Sequence, residues 1–239
     1  MATGGRPSTT SGHMRYRTAQ AAVAEMLRTE ILSGQLQAGR RLLQADVAER
    51  FDTSTTPVRE ALRQLISEGL LDGDPHRGVT VHETSVGELQ ELYEIRMVLE
   101  PFGIAATVGN ITPAELERAD HLVGLMESRG DPAEWTLLNA EFHATLAAAA
   151  RRPRLTSILN NLRNLSAIYV AESITTMPER MQAGNREHRQ LVEACRSRNV
   201  EEAQRVERAH LEHTLELGRV HLRERARGAG PPQVAGRTG

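Results

Sequence analysis

The sequence predicts a mainly α-helical protein: an N-terminal winged helix-turn-helix with a small β-hairpin wing, followed by an all-α helical bundle. Three observations carry this. The segment STTPVREALRQL, residues 54–65, opens like a helix that meets an anion, and a turn-rich stretch at residues 70–83 holds strand-forming residues. Helix-start signals then recur to about residue 225 with no strand-like segment between them.

The 239 residues suffice for one large domain or two modest ones. With 39% apolar but only 3% aromatic residues, the core must come mainly from Leu, Val, Ile, Ala and Met. The single cysteine, Cys195, excludes an intramolecular disulfide and fits a reducing compartment. No apolar run approaches the roughly 20 residues of a membrane span, and the N-terminus lacks a charged-then-apolar signal pattern, so a cytoplasmic protein without a membrane partner is expected. A net charge of −2 exerts no global pull on a polyanion. Every basic residue is Arg, so a high Arg count is not by itself a sign of phosphate recognition.

Residues 1–16, rich in Gly, Ser and Thr, and residues 228–239, rich in Gly and Pro, read as disordered tails. The first helix runs from Thr18 to Leu32, with Val23, Met26, Leu27 and Ile31 at helical spacing and Gly34 as its stop. A second, short helix covers about Gln44 to Phe51, and the quoted segment is the third. In LLDGDPHRGVTVHE, Gly73, Asp74, Pro75 and Gly78 form turns while Val79, Thr80 and Val81 favour a strand, which predicts two short strands and a tight loop. Ser85 with Glu88, Thr112 with Glu115 and Asp131 with Glu134 each place a capping residue three before a glutamate, and Pro113 and Pro132 suit the first helical position. Six helices of about 15–25 residues then account for residues 85–225, and the boundary between the two parts falls at residues 82–86.

In the quoted helix, Val58, Ala61, Leu62, Leu65 and Ile66 make one buried face, while Arg59 and Arg63, four apart, project from another. Ser54, Thr55 and Thr56 crowd the N-terminus, where free amides and the helix dipole favour an anion such as DNA phosphate. A short helix and a tight turn precede it, as in a helix-turn-helix. Residues 15–82 carry nine Arg against nine Asp and Glu, so DNA binding requires Arg40, Arg41, Arg59, Arg63 and Arg77 to cluster on one side.

In the helical half, three histidines lie on apolar stripes, where a polar group needs a partner. His143 sits among Leu138, Phe142 and Leu146, with Asn139 one turn before it; His188 leads Leu191, Val192 and Cys195; His210 falls in a series with Ala203, Val206 and His213. Such histidines are either satisfied core residues or, converging in a bundle, ligands for Zn²⁺, Ni²⁺ or a similar ion. Glu141 and Glu187, near them in sequence, read as solvated helix residues.

Residues 17–83 resemble the winged-helix domain of the GntR family of bacterial transcriptional regulators, through STTPVREAL, LISEGLL and RGVTV. The resemblance implies DNA contacts from Ser54, Thr56, Arg59 and Arg63, with Arg41 and Thr55 on the same surface and His76, Arg77 and Gly78 in the wing. Thr55 stands where the family usually carries an arginine, and Asp52 where a glycine commonly makes the turn. Residues 85–225 are similar to the FCD ligand-binding domain of the FadR subfamily, in its shorter, six-helix VanR-type form, through ELYEIRMVLEP, NAEFH, EHRQLVEAC and AHLEHT. That implies a metal held by Asn139, His143, His188 and His210, a small carboxylate effector beside it, and a homodimer that reads a palindromic operator as a repressor. Arg96, with Arg163 second, is the expected neutraliser of the effector, and His213 lines the site. Two other readings remain: the same regulator with a metal-free cavity and structural histidines, or a His-ligated metalloenzyme, against which the absence of HExxH speaks.

Overall fold

The computed structural model describes residues 18–74, 78–83, 85–176 and 179–228. The expected tails, except Gly228, and the wing residues His76 and Arg77 lie outside these.

Helix α1 (Ala19–Leu32) begins at Thr18, whose hydroxyl accepts from the Ala21 amide, and ends where Gly34 turns with φ 78°. Strand β1 (Arg41–Leu42), helix α2 (Gln44–Arg50) and helix α3 (Thr55–Ser67) follow, then strands β2 (Leu71–Asp74) and β3 (Gly78–Val81). The expected β2–β3 hairpin is present, but β1 joins it, giving an antiparallel sheet of order β1-β3-β2 with Arg41 opposite Thr80. A two-residue strand carries no period to read, so only its pairing reveals it. Between α2 and α3, Asp52 takes the left-handed turn with φ 46°, one of the few non-glycine residues that tolerate it.

The second part is a bundle of α4 (Val86–Asn110), α5 (Pro113–Ser128), α6 (Pro132–Ala149), α7 (Pro153–Thr176), α8 (Glu179–Arg196) and α9 (Val200–Gly228). Ser85, Thr112 and Asp131 each accept a hydrogen bond from the amide three residues on, and Thr112 with Glu115 completes a reciprocal capping box. Pro101 lies inside α4, where the missing N–H frees the Met97 carbonyl; Arg208 on α9 donates to that carbonyl at 3.4 Å, and the helix continues. Helix α9 is longer than expected, at 29 residues.

The core of the winged part, built on Val23, Leu27, Ile31, Val58, Leu62 and Leu65, also takes in Ile168 from α7 and Leu137 from α6. Gly69, with φ 77°, approaches α7 so closely that a Cβ there would lie 2.5 Å from Leu165 Cδ2. Helix α7 is therefore packed against the winged part on one side and the bundle on the other.

Candidate functional site

At the first surface, the hydroxyls and arginines opening α3 are in the open. Ser54, Thr55, Thr56, Arg59 and Arg63 are all exposed, while Val58, Ala61, Leu62 and Leu65 are buried beneath them. Ser54 occupies the N-cap position yet makes no side-chain cap bond, unlike Thr18, Ser85, Thr112 and Asp131, so its hydroxyl is available to a ligand. Arg59 and Arg63 both approach Glu60, at 3.5 and 3.1 Å. These exposed pairs are weak and can exchange for phosphate. Arg41 runs beside Gly78 on the wing: a Cβ on that glycine would lie 3.7 Å from Arg41 Nη2.

In the second domain, a cavity of about 330 Å³ opens between α4, α6, α7, α8 and α9. One helical turn on α6 places Asn139 and His143 on one face; α8 supplies His188 and α9 supplies His210. One ring nitrogen from each of the three histidines lies within 4.8 Å of the other two. A bound Zn²⁺ or similar ion, with metal–nitrogen bonds of about 2.1 Å, holds its ligands roughly 3–4 Å apart, so small side-chain rotations close the remaining gap. His143, His188 and His210 are 5%, 0% and 7% exposed, which keeps bulk water from satisfying them.

Burial pushes the His143 imidazole well below its ordinary range, aided by the nearby His188, Arg163 and His210; burial and then His210 do the same to His188. Both are thus neutral, the form that ligates metal. Neither nitrogen of His188 has a hydrogen-bond partner, and Oδ1 of Asn139 is likewise buried and unbonded. Orphaned buried donors and acceptors of this kind are costly, and the donor set suits a divalent ion.

Glu187 corrects the expectation of a solvated residue. Its carboxylate accepts from His210 Nδ1 at 2.6 Å and from His213 Nδ1 at 2.9 Å. Burial alone would raise this carboxyl, but the two imidazoles hold it below the usual range. The bond to His210 Nδ1 orients the ring and leaves Nε2 as the nitrogen for a metal, a known way of positioning a metal-ligating histidine. His213 lines the cavity from the rim and is not part of the three-histidine cluster. Glu141, by contrast, is exposed and paired with Arg118.

Arg96 and Arg163 line the cavity, yet each already has an acid. Arg96 donates to Glu100 Oε1 at 2.7 Å and to Ser166 Oγ at 2.8 Å; Arg163 donates to Glu100 Oε2 at 2.5 Å and to the His143 carbonyl at 3.3 Å. Burial would raise Glu100, but Arg163 and Arg96 hold it well below the usual range; burial and Glu100 push Glu207 well above. Sequence reasoning missed Glu100 and Arg180, although Arg96–Glu100 and Arg180–Gly184–His188 are both at four-residue spacing on one helix face.

Residues 19–81 match the gntR family of bacterial regulatory proteins and residues 91–213 match the FCD domain. The chain belongs to the GntR family. Within that family it is 30% identical over 155 residues to the transcriptional regulator McbR of Escherichia coli, covering 64% of this chain and 70% of that one. It is 26% identical over 195 residues to the regulator YdhC of Bacillus subtilis, covering 80% and 86% respectively. It is also 28% identical over 155 residues to the gluconate operon transcriptional repressor of Bacillus subtilis, covering 64% and 63%. The solved structure of E. coli McbR superposes with a TM-score of 0.75 at 24% identity, over 87% of this chain and 99% of that one, which shows a shared fold. This GntR chain is a DNA-binding transcriptional regulator with an FCD domain, and not an enzyme. Among the described residues no helix is long and apolar enough to cross a membrane.

Proposed function

We propose that this GntR regulator is a repressor whose FCD domain senses a small carboxylate with the help of a divalent metal, Zn²⁺ or Ni²⁺, held by Asn139, His143, His188 and His210. The observation that carries the proposal is the set of orphaned ligand atoms: both nitrogens of His188 and Oδ1 of Asn139 are buried without partners, beside two more imidazoles. The ion, when bound to four neutral side chains, would supply a Lewis-acidic attachment point for an anionic oxygen. The repressor reading leans on the named function of the gluconate operon relative.

For DNA, the exposed Ser54, Thr55, Thr56, Arg59 and Arg63 are proposed as the reading face, with Arg41, Gly78, His76 and Arg77 as its wing contacts. Helix α7 supports a route between the two functions. Its Arg163, Ser166, Ala167 and Val170 line the cavity, while Ile168 enters the winged-helix core and Leu165 abuts Gly69. An effector that favours one placement of α7 shifts the placement of the reading heads; one that binds both placements equally shifts nothing.

Elemental analysis of untagged protein, wild type and His143→Ala, tests the site. About one equivalent of Zn or Ni per chain, lost in the variant while helicity is kept, is the expected result; the metal also raises the melting temperature by linkage. Wild-type protein that neither contains nor takes up metal would remove the metal from the proposal and leave the DNA-binding function standing.

A further inference from the structure

Arg180 on α8 lines the same cavity and is 7% exposed. Its Nη1 is buried with no hydrogen-bond partner, and among the described residues it makes no ion pair. The acids that might answer it are occupied. Both oxygens of Glu187 are taken by His210 and His213, and Glu100 is shared between Arg96 and Arg163. A guanidinium left in this state is costly, because removing it from water is not compensated by a partner.

Position adds to charge. Arg180, Gly184 and His188 lie at four-residue spacing on one face of α8, so about 12 Å of helix rise separates the arginine from the histidine. Gly184 between them also lines the cavity and carries the Trp135 ring, 3.2 Å from where a Cβ would sit. Arg180 thus faces the same cavity as His143 and His210.

The charge balance points the same way. Two guanidiniums, Arg96 and Arg163, face the single ionised carboxylate of Glu100, since Glu207 beside it is held protonated by burial and by Glu100. A divalent ion held there would add two more positive charges. Even with the Glu187 carboxylate counted, positive charge exceeds negative, so a dianion offsets more of it than a monoanion and can meet both the cluster and Arg180.

We infer that the cavity is built for a small dicarboxylate, one carboxylate meeting the histidine cluster and the other pairing with the Arg180 guanidinium. This rests on the metal-assisted carboxylate reading above and narrows its ligand class. Burial lowers the pKa of Arg180 against the opposing pull of Tyr93 and Glu187, consistent with a cation awaiting a counter-ion.

The experiment uses full-length protein loaded with Zn²⁺ and compares succinate, glutarate and adipate with butyrate, valerate and hexanoate. The readouts are thermal shift and the fluorescence of Trp135, the one tryptophan, whose ring stacks on His188 with centroids 6.0 Å apart. At least one diacid should bind about tenfold or more tighter than the monoacid of its length, the scale of one added charge-assisted pair. Arg180→Met should erase that advantage while keeping Zn content and monoacid binding, and should raise the melting temperature of the metal-free protein. A merely structural arginine would lower it instead. Diacid preference that survives Arg180→Met, or wild-type protein that binds monoacids as well as diacids, overturns the inference alone. Failure of both series to bind Zn-loaded wild type overturns the inference together with the carboxylate reading beneath it. The wild-type comparison stands whether or not the variant folds.

Discussion

At the scale of single residues, the protein separates polar groups that are satisfied from those that wait. Trp135 Nε1 donates to Asn185 at 2.8 Å and Thr107 donates to the Leu146 carbonyl at 2.8 Å, so these buried polar groups hold structure. His188 and Asn139 lack such partners, which is what supports them as the proposed ligands. On α3, Arg59 is exposed and held by a loose contact to Glu60. With a duplex selected from a random pool by the wild-type protein, Arg59→Ala should weaken binding by roughly 10- to 100-fold, the worth of a bidentate base contact. Its melting temperature should not change, because the side chain packs against nothing in the core. Unaltered affinity in a fluorescence-anisotropy titration would move the reading face elsewhere.

At the scale of elements, the helix starts were legible because capping is local chemistry. Ser85, Thr112 and Asp131 needed only their own next three residues to form their bonds. The Glu115 carboxyl is lowered to about 2 by the Thr112 backbone amide and then by Arg151, which pairs with it at 2.8 Å. A carboxyl held below its ordinary 4.5 stabilises the fold fully above that pH, and the contribution fades as pH falls toward 2. Glu115→Gln should therefore cost about 1 kcal/mol or less at pH 6, trimmed by solvent screening, and progressively less below pH 4.5. Urea melts of both proteins at pH 6 and pH 3 would show it, and a gap that stays constant with pH would rule out the carboxylate as its source. Strand β1 and the passage of α4 through Pro101 were not legible. The first exists only by pairing with β3, and the second is accompanied by an arginine from α9 reaching the carbonyl that the proline frees.

At the scale of the whole molecule, α4 leaves Ile95, Val98 and Phe102 exposed at near-helical spacing, and Ile158 is exposed on the adjoining α7. Gly103 of α4 packs on Leu155 and Leu159 of α7, so the two helices adjoin next to Phe102 and Ile158. A second copy covering these apolar residues would pair two reading heads for a palindrome, as the homodimer expected from the family resemblance requires. Val98→Glu with Phe102→Glu should raise the dimer dissociation constant by about 100-fold or more. Sedimentation velocity is the check, and an unchanged dimer would place the interface on another face. The sequence by itself determined the two-part helical architecture, and it named the proposed reading helix and all four proposed metal ligands, because periodicity, caps and polar residues on apolar stripes are properties of short segments. Only the tertiary structure decided which charges are spent. Glu100 neutralises Arg96 and Arg163, Glu187 orients His210, and Arg180 is left over. Those partnerships join residues up to 63 positions apart, and no local pattern encodes which distant side chain will arrive.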